Sequence, residues 1–308
     1  MTSRTGRTRR TKRLLRAALL GAVLLLTVVV VPNSTVASTD AVLVQFKHSR
    51  GVDLDRNVIW ILAVGSDARP GENMLRTRGD ALQLVGIDTR SGAATSIGIA
   101  RDSWVSIPGH GSNRINAALY FGGPQALGQA VGNLIGIEPD YVFVTRFPFF
   151  ENMVDDIGGI DIRNKTSFYD PNLKPKGFKL GRIHLNGYNA MAYARIRKSL
   201  PGGDFDRSRN QQVVLAGIQA KIAANADRPG FIETGVLTVM EHLHTDLGPA
   251  ELFRIAQAIA QVDPTKITGC VVTGGFATIG GASVVTPNVA QARRYGDLAR
   301  HDATIERC

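Results

Sequence analysis

The stretch Val58-Ile59-Trp60-Ile61-Leu62-Ala63-Val64 is a continuous apolar run that ends at Gly65-Ser66-Asp67. An apolar run of this length that stops at a turn signal is typical of a strand buried on both faces of a sheet. Two more strands are predicted at 81–87 and 94–100, joined by the turn-forming segment 88–92. These segments define the middle of a sheet, with an acidic residue at its edge.

Strand-like and helix-like segments intermix along the rest of the chain. Helices are predicted over 114–121, 124–135, 147–156, 187–197, 206–226, 232–242, 249–262 and 288–299, and further strands over 41–46, 141–145, 267–272 and 282–285, with another beginning at 160–162. The polar segment 163–186, which carries Lys and Pro, is predicted to be a long loop. This pattern predicts an α/β fold, with a central mixed sheet between helical layers.

The formal net charge of +10 is concentrated at the N-terminus. Seven of the 36 basic residues and none of the 26 acidic residues lie in the first 16 positions, so the rest of the chain holds 29 basic against 26 acidic residues. A nearly neutral remainder argues against a nucleic-acid partner, because phosphate contacts require an extended basic surface.

The basic tail runs directly into the apolar segment 17–31. A spanning helix needs about 17–25 apolar residues, and two leucines before Arg16 extend the segment, since the Arg16 side chain can reach the interface. The positive-inside rule places the tail in the cytoplasm and the chain from about Asn33 outside. The prediction is a single-pass cell-membrane protein with an N-terminal transmembrane helix. A signal peptide cleaved near 36–38 is the alternative.

The two cysteines, Cys270 and Cys308, both fall in the part predicted to lie outside the membrane. An even number of cysteines in an oxidising compartment favours a disulfide, which would pin the C-terminus. A buried Cys270 with a free terminal thiol is the alternative.

Acidic residues recur where predicted strands begin and end. Asp67 follows the first strand and Asp80 precedes the second, so neighbouring strands would bring the two carboxylates together. Carboxylate oxygens are ligands that Mg²⁺ prefers, and the pair therefore predicts a magnesium site completed by substrate phosphate and water. Aspartates are also common in turns, and spacing alone favours that ordinary explanation.

Arginines lie near these carboxylates, at Arg78, Arg101, Arg195, Arg197 and Arg207. Arginine binds phosphate oxygens bidentately and stays charged at any physiological pH. Arg207 shares a helix face with Gln211 and lies in a first helical turn, where a cation is unfavourable without an anion nearby. A salt bridge to an aspartate explains each arginine singly, but together they predict a site for a diphosphate and its metal.

Sequence motifs of several common enzyme classes are absent. The chain has no GxxxxGK[ST] phosphate loop, no GxSxG elbow and no HExxH zinc motif. No residue stands out as a covalent nucleophile. Phosphoryl transfer by positioning and charge neutralisation requires none.

Several motifs, in order over about Val58–Ile222, resemble the LytR-CpsA-Psr family of cell-wall glycopolymer transferases. They are Gly65-Ser66-Asp67-Ala68-Arg69, Arg78-Gly79-Asp80, Ala100–Gly109, Arg114–Gly123, Val154–Ile160, Leu185-Asn186-Gly187, Ala192–Arg197 and Asp204–Arg207. The chain departs from the family pattern at Gly79, at Ala100 in place of Pro, and at Asn210 in place of Arg. The last change removes one possible phosphate contact.

The resemblance implies a magnesium-dependent phosphotransferase with an extracellular catalytic domain. It would move a glycopolymer from a polyprenyl-diphosphate carrier in the membrane lipid onto peptidoglycan, leaving polyprenyl phosphate. By resemblance, Asp67 and Asp80 match metal-binding aspartates and, with Arg101, are the predicted catalytic residues. The residues that match diphosphate contacts are Arg78, Arg101, Arg195, Arg197, Arg207 and Gln211.

The lipid tail would lie in an apolar tunnel between sheet and helices. Leu82, Leu84, Leu119, Phe143, Phe147 and Leu215 are the candidates for its lining. Ordinary core packing is the default assignment for all six.

The predicted organisation is a tail over 1–16, an anchor over 17–31, a linker over 32–56, a catalytic domain over 57–228 and a C-terminal helical and strand extension over 229–308. A non-catalytic module that binds polyprenyl phosphate or an anionic polymer is the alternative function. A membrane-bound transcription regulator is disfavoured, because 16 cytoplasmic residues hold no helix-turn-helix. Teichoic acid, arabinogalactan and capsule all remain open as the polymer.

Overall fold

The computed structural model describes residues 40–46, 57–69, 71–231, 239 and 242–308. The predicted tail and anchor, and most of the predicted linker and of the predicted helix 232–242, lie outside these residues. Among the described residues, no helix has the length and apolar character needed to cross a bilayer.

The described residues form strands and helices that alternate along the chain. The strands are β1 (Ala41–Gln45), β2 (Val58–Ser66), β3 (Gly79–Asp88), β4 (Ala94–Gly98), β5 (Trp104–Ile107), β6 (Gly111–Arg114), β7 (Tyr141–Thr145), β8 (Ile160–Asn164), β9 (Phe168–Asp170), β10 (Lys174–Phe178), β11 (Gly181–Leu185), β12 (Leu243–Thr245), β13 (Ile267–Val271), β14 (Gly274–Ile279) and β15 (Ala282–Pro287). The helices are α1 (Ala117–Ile135), α2 (Phe147–Asp156), α3 (Gly187–Arg195), α4 (Asp204–Ala223), α5 (Pro249–Ala260) and α6 (Val289–Ala299).

Seven of these strands form a mixed central sheet in the order β12-β1-β7-β2-β3-β4-β13. β2 lies in its middle, antiparallel to β3 and parallel to β7. Apolar side chains on β2 meet a packed layer on each side, which is why its sequence is a continuous apolar run. The predicted mixed α/β fold with a central mixed sheet is confirmed.

Helices α1 and α6 cover one face of the sheet. The core between them and the sheet contains Trp60, Leu62, Leu84 and Leu119, all nearly inaccessible to solvent. Each large apolar side chain buried there contributes about 1.5–3 kcal/mol to stability. This layer is the main stabilising core and it lies behind the site described below.

Helices α2, α3, α4 and α5 lie on the opposite face. Helix α4 approaches β4 very closely: a Cβ atom on Gly98 would lie 2.3 Å from the Ser208 hydroxyl oxygen. Glycine at this position therefore permits the helix to sit directly on the sheet. The close approach fixes the N-terminal half of α4, which carries Arg207 and Gln211, over the ends of β3 and β4.

The segment predicted as a long loop instead contains β9, β10, β11 and the end of β8. β8 pairs antiparallel with β11, and the antiparallel β9–β10 hairpin lies between these two strands along the chain. Their outward positions carry Arg, Lys and His, and Gly and Pro interrupt the runs, so the period-two pattern of a half-buried strand is weak in the sequence.

The first half of α1 starts later than predicted, but its predicted break is present. Arg114 ends strand β6, and the helix begins at Ala117 rather than at Arg114. Gly123, with φ 67° and ψ −159°, is not helical, so α1 consists of two helical segments that meet at a kink there. The predicted break between two helices at Gly122-Gly123 is therefore confirmed, because glycine adopts a positive φ at little cost.

Cys270 on β13 and Cys308, the last residue of the sequence, form a disulfide. The C-terminal segment is therefore tied to the edge of the central sheet. The buried side chains of Ala303 and Ile305 join the core on the way to this bond.

We expect Cys308→Ser to lower the free energy of unfolding of the full chain by about 3–4 kcal/mol, because the bond closes a loop across 38 residues of sequence separation. Urea unfolding followed by circular dichroism measures the change. Wild type in reductant is the matched control and should unfold with the variant. An unchanged midpoint in both would show that the bond adds nothing to stability.

Candidate functional site

The ends of β2 and β3 bring Asp67 and Asp80 together. The Asp67 amide donates a hydrogen bond of 3.0 Å to the Arg78 carbonyl. The β2–β3 register pairs Gly65 with Ala81 but Ser66 with Gly79, so Asp80 is an extra residue in a β-bulge. A bulge redirects a side chain from the regular pleat, and the Asp80 carboxylate points into a cavity on the helical face that carries α4.

Arg195 lies between the two carboxylates. Its Nη2 atom is 3.7 Å from Asp67 Oδ1 and 3.9 Å from Asp80 Oδ2. The guanidinium also stacks on the Phe147 ring, 4.2 Å from the ring centroid, a cation–π contact that orients it.

The remaining arginines and aspartates continue this arrangement as an alternating chain of opposite charges. Arg101 forms an ion pair with Asp80. The following pairs are Arg101–Asp102 at 3.9 Å, Asp102–Arg197 at 3.7 Å, Arg197–Asp204 at 2.9 Å and Asp204–Arg207 at 3.3 Å. The site is thus an electrostatic network in which every cation faces a carboxylate.

The backbone after α3 explains how two nearby arginines reach the same cavity. Helix α3 ends at Arg195, and Ile196 is extended with φ −63° and ψ 134°. The helix predicted over 187–197 therefore ends two residues early, and Arg197 consequently faces the cavity beside Arg195. Helix α4 begins at Asp204, two residues before the predicted start. Asp206 does not cap it, since its carboxylate accepts from the Gly202 amide instead.

Most of the predicted site residues line a single cavity of about 300 Å³. They are Asp80, Arg101, Arg195, Arg197, Arg207 and Gln211. Asp67 lies at the edge of this group, with its side chain 51% exposed. Arg78 is not brought into the cavity: its side chain is exposed, and its carbonyl holds the Asp67 backbone.

The other part of the cavity wall is apolar. Phe143, Phe147 and Leu215, three of the six candidate tunnel residues, line it. A second cavity of about 820 Å³ shares Ala63, Phe143, Met153 and Leu215 with the first. The charged cavity therefore adjoins a larger apolar space between sheet and helices.

The other three candidates, Leu82, Leu84 and Leu119, belong to the core on the opposite face. Successive residues of a strand point to opposite faces, so Leu82 and Leu84 point away from the cavity that Gln83 lines. Their default assignment to the core is the correct one.

Nearby carboxylates offset the cost of burying a charged arginine to different extents at Arg207 and Arg101. Burial lowers the pKa of Arg207, and Asp204 opposes this only in part because Arg101 lies nearby. Burial also acts to lower the pKa of Arg101, but Asp80 and Asp102 outweigh it and raise the pKa. The buried Nε atom of Arg101 has no hydrogen-bond partner. These are donors that an anion could satisfy.

The carboxylate pair fits a divalent cation. Burial, followed by repulsion from Asp80, raises the pKa of Asp67 above its ordinary value, while Arg195 and Arg101 lower it. A cation between the two carboxylates would relieve this repulsion. Within the described part of the chain, no three His, Cys, Asp or Glu side chains gather as a metal site, so substrate phosphate and water would complete the coordination.

A buried polar network beneath the cavity was missed in the sequence. Gln83 donates to the Gln211 side-chain oxygen at 3.0 Å and to the Ser208 hydroxyl at 2.9 Å. The Gln211 amide donates in turn to the Ala194 carbonyl at 3.2 Å. Gln211 is thereby anchored on both sides, and it links α3 to α4. The signal in the sequence for this network was Gln83, a single polar residue between Leu82 and Leu84 on a buried strand, because a buried amide needs hydrogen-bond partners.

The sheet, the arginine–aspartate cavity and the adjoining apolar space define an α/β domain suited to a ligand with an anionic head and an apolar tail. A sequence model described as the LytR_cpsA_psr family matches residues 26–297. The chain belongs to the LytR-CpsA-Psr family.

One curated relative is TagU of Bacillus cereus, named a polyisoprenyl-teichoic acid–peptidoglycan teichoic acid transferase. It is 30% identical over 196 residues, which are 63% of this chain and 62% of TagU. The match therefore spans less than two thirds of the relative's length.

Solved structures share the fold. TagV of B. subtilis superposes with a TM-score of 0.67 at 26% identity, covering 81% of this chain and 99% of TagV. YwtF (TagT) of Bacillus subtilis, solved with bound octaprenyl pyrophosphate lipid, has a TM-score of 0.62 at 22% identity and covers 83% and 95% of the two chains.

Proposed function

We propose that this protein is a magnesium-dependent phosphotransferase that moves a glycopolymer from a polyprenyl-diphosphate carrier onto peptidoglycan. The observation that carries the proposal is the direct junction between the arginine–aspartate cavity and the larger apolar cavity. A polyprenyl diphosphate has the same two parts, a doubly charged head joined to an apolar chain. The transferase name of TagU supports this assignment.

The head of the substrate binds among Arg101, Arg195, Arg197 and Arg207. In the structure each of them faces an aspartate. Phosphate oxygens offer the same bidentate geometry as a carboxylate, so the diphosphate takes up donors that the aspartates satisfy only partly. The Nε of Arg101, which forms no hydrogen bond, and the buried guanidinium of Arg207 gain most from it.

Transfer is a displacement at the phosphorus that carries the sugar. An acceptor hydroxyl oxygen of peptidoglycan forms the new P–O bond, and the bond from that phosphorus to the bridging oxygen breaks. Polyprenyl monophosphate leaves with the electron pair, and the hydroxyl proton passes to solvent. The arginines stabilise the charge that develops on the leaving phosphate, which is the main catalytic requirement in such reactions.

Asp67 and Asp80 would hold the magnesium ion. When bound, this ion would neutralise diphosphate charge and polarise the phosphorus under attack. The protein's own contribution is to keep the two carboxylates together through the β-bulge at Asp80 and through Arg195.

The proposed placement is a single-pass membrane protein with its tail in the cytoplasm and its catalytic domain outside. The sequence prediction of an anchor over 17–31 supports it, and the Cys270–Cys308 disulfide is consistent with an oxidising compartment. In this arrangement the membrane-embedded carrier and the peptidoglycan lie on the same side as the site.

The function is tested by incubating the full chain with a labelled polyprenyl-diphosphate glycopolymer and purified peptidoglycan. We expect magnesium-dependent incorporation of label into peptidoglycan. Tight binding of the carrier with no incorporation, at any magnesium concentration, would instead indicate a module that captures the lipid without turnover.

Magnesium affinity is expected to fall as the pH is lowered. The loss should set in at a higher pH than it would at a site built from ordinary aspartates. Only the ionised carboxylate binds the ion, and burial together with Asp80 raises the pKa of Asp67, so protonation of Asp67 begins earlier as pH falls. Asp67→Asn should weaken binding at least about tenfold, the loss typical even of an outer-shell partner.

Isothermal titration calorimetry with magnesium chloride across a pH series measures both effects. Asp297→Asn, a change at an exposed aspartate on α6, is the matched control and should bind as wild type. Equal affinity in Asp67→Asn and wild type would remove Asp67 from the metal site.

A further inference from the structure

We propose that the outer edge of the antiparallel β8–β11 strand pair is a contact surface for a bilayer containing anionic phospholipid. This basic edge consists of Arg163, Lys165, Lys179, Leu180 and Arg182. It lies outside the arginine–aspartate cavity and takes no part in the proposed chemistry.

The positive charge of the chain beyond its N-terminal tail is concentrated here. Residues 163–182 hold six basic residues and one acidic residue, Asp170. Of the 29 basic and 26 acidic residues after position 16, this leaves 23 basic against 25 acidic for everything else. The segment therefore accounts for the entire positive excess and forms a local basic surface on an otherwise slightly acidic chain.

The register of the β8–β11 strand pair places like charges directly opposite each other. Arg163 and Arg182 are Cα partners in the antiparallel β8–β11 pair, and both side chains are exposed. Like charges at opposed positions destabilise a sheet. On the same face, Asp161 and His184 are also partners and lie in contact at 3.0 Å. Within the described chain, none of the four cations of the basic edge is in an ion pair, so they are available to an external anion.

An exposed leucine lies among these cations. Leu180 is 67% exposed in the turn between Lys179 and Gly181, and the Asn164 side chain holds that turn through a 2.8 Å hydrogen bond to the Lys179 carbonyl. Tyr169 in the neighbouring hairpin is 56% exposed. Apolar and aromatic tips flanked by Lys and Arg are typical of surfaces that enter the lipid headgroup region. An anionic polymer would need the cations alone, so the leucine favours a bilayer.

The basic edge adjoins the larger apolar cavity, since Arg163 and Lys165 are among its lining residues. Lipid contact at this edge would hold the cavity beside the membrane that contains the polyprenyl chain. The inference rests on the proposed function only for the identity of the lipid in the cavity as a polyprenyl chain. The bilayer contact itself depends on the charge and exposure of the basic edge.

The contact is tested on the full chain reconstituted in nanodiscs with and without phosphatidylglycerol. The native cysteines are bonded to each other, so Leu180→Cys provides one thiol for an environment-sensitive fluorophore, and spin-labelled lipid serves as quencher. Leu298→Cys, at an exposed leucine on α6, is the matched control. We expect strong quenching at position 180 in phosphatidylglycerol discs and little at 298.

Charge removal supplies the second measurement. Adding Arg163→Gln, Lys179→Gln and Arg182→Gln should weaken the lipid-bound state about fivefold for each charge removed. Quenching at 180 that equals that at 298, or that survives all three changes, would overturn the proposal. So would a label that responds only to soluble anionic glycopolymer, which would identify a polymer-binding surface. Because the readout is lipid contact, its failure is distinguishable from a failure of transfer.

Discussion

Arg101→Ala is expected to lower the rate of polymer transfer about 10³-fold, the scale of losing a positioned cation that stabilises transition-state charge. Arg101 joins Asp80 to Asp102 at the centre of the charge network. It also offers a buried Nε atom that no protein group satisfies. Its removal deprives the leaving phosphate of a donor and leaves Asp80 without its closest cation.

The rate is measured as label incorporated into peptidoglycan, with circular dichroism to confirm the fold. Arg90→Ala is the matched control, because Arg90 is an exposed arginine just past the opposite end of β3 and should leave the rate unchanged. Arg101→Lys retains the charge without the bidentate geometry and should recover only part of the activity. Wild-type rates in Arg101→Ala would remove this residue from the catalytic site.

Leu215→Trp is expected to abolish use of long polyprenyl carriers while sparing short ones. Leu215 lines both cavities and lies where they meet, so an indole there would block the path of the chain. Each isoprene unit kept out of the apolar cavity loses about 3 kcal/mol of burial, which corresponds to about a 100-fold loss in affinity.

Competition between carriers of graded chain length measures this effect. Leu298→Trp, at an exposed position on α6, is the control and should show the wild-type length dependence. A uniform loss for all chain lengths would point to misfolding or to a damaged diphosphate site. An unchanged preference would place the lipid elsewhere.

The centre of the sheet and the convergence of charge were predictable from sequence. The run Val58–Val64 is apolar because β2 is covered on both faces. A short apolar run that ends at a turn signal is typical of a buried strand. Asp67 and Asp80 flank the turn region between two strands that pair, so their approach follows from the antiparallel connection.

The remaining features depend on register and on tertiary contacts. The β-bulge that turns Asp80 into the cavity and leaves Arg78 exposed has no signature in residue spacing. The β9–β10 hairpin and strand β11 within 163–186 were not predicted, because their outward residues are charged and their ends carry Gly. Which residues line the cavity depends on the face of the sheet to which each side chain points. Leu82 and Gln83 are adjacent in sequence, yet Leu82 points to the core and Gln83 to the cavity.

The most direct test of the central claim is mass spectrometry of the lipid product. The full chain is incubated with polyprenyl-diphosphate glycopolymer, peptidoglycan and magnesium, with EDTA and Arg101→Ala as controls. One polyprenyl monophosphate released for each polymer transferred, and neither product in the two controls, is the predicted result. The contradicting result is carrier that stays bound and intact, with identical spectra from the wild-type, EDTA and Arg101→Ala samples.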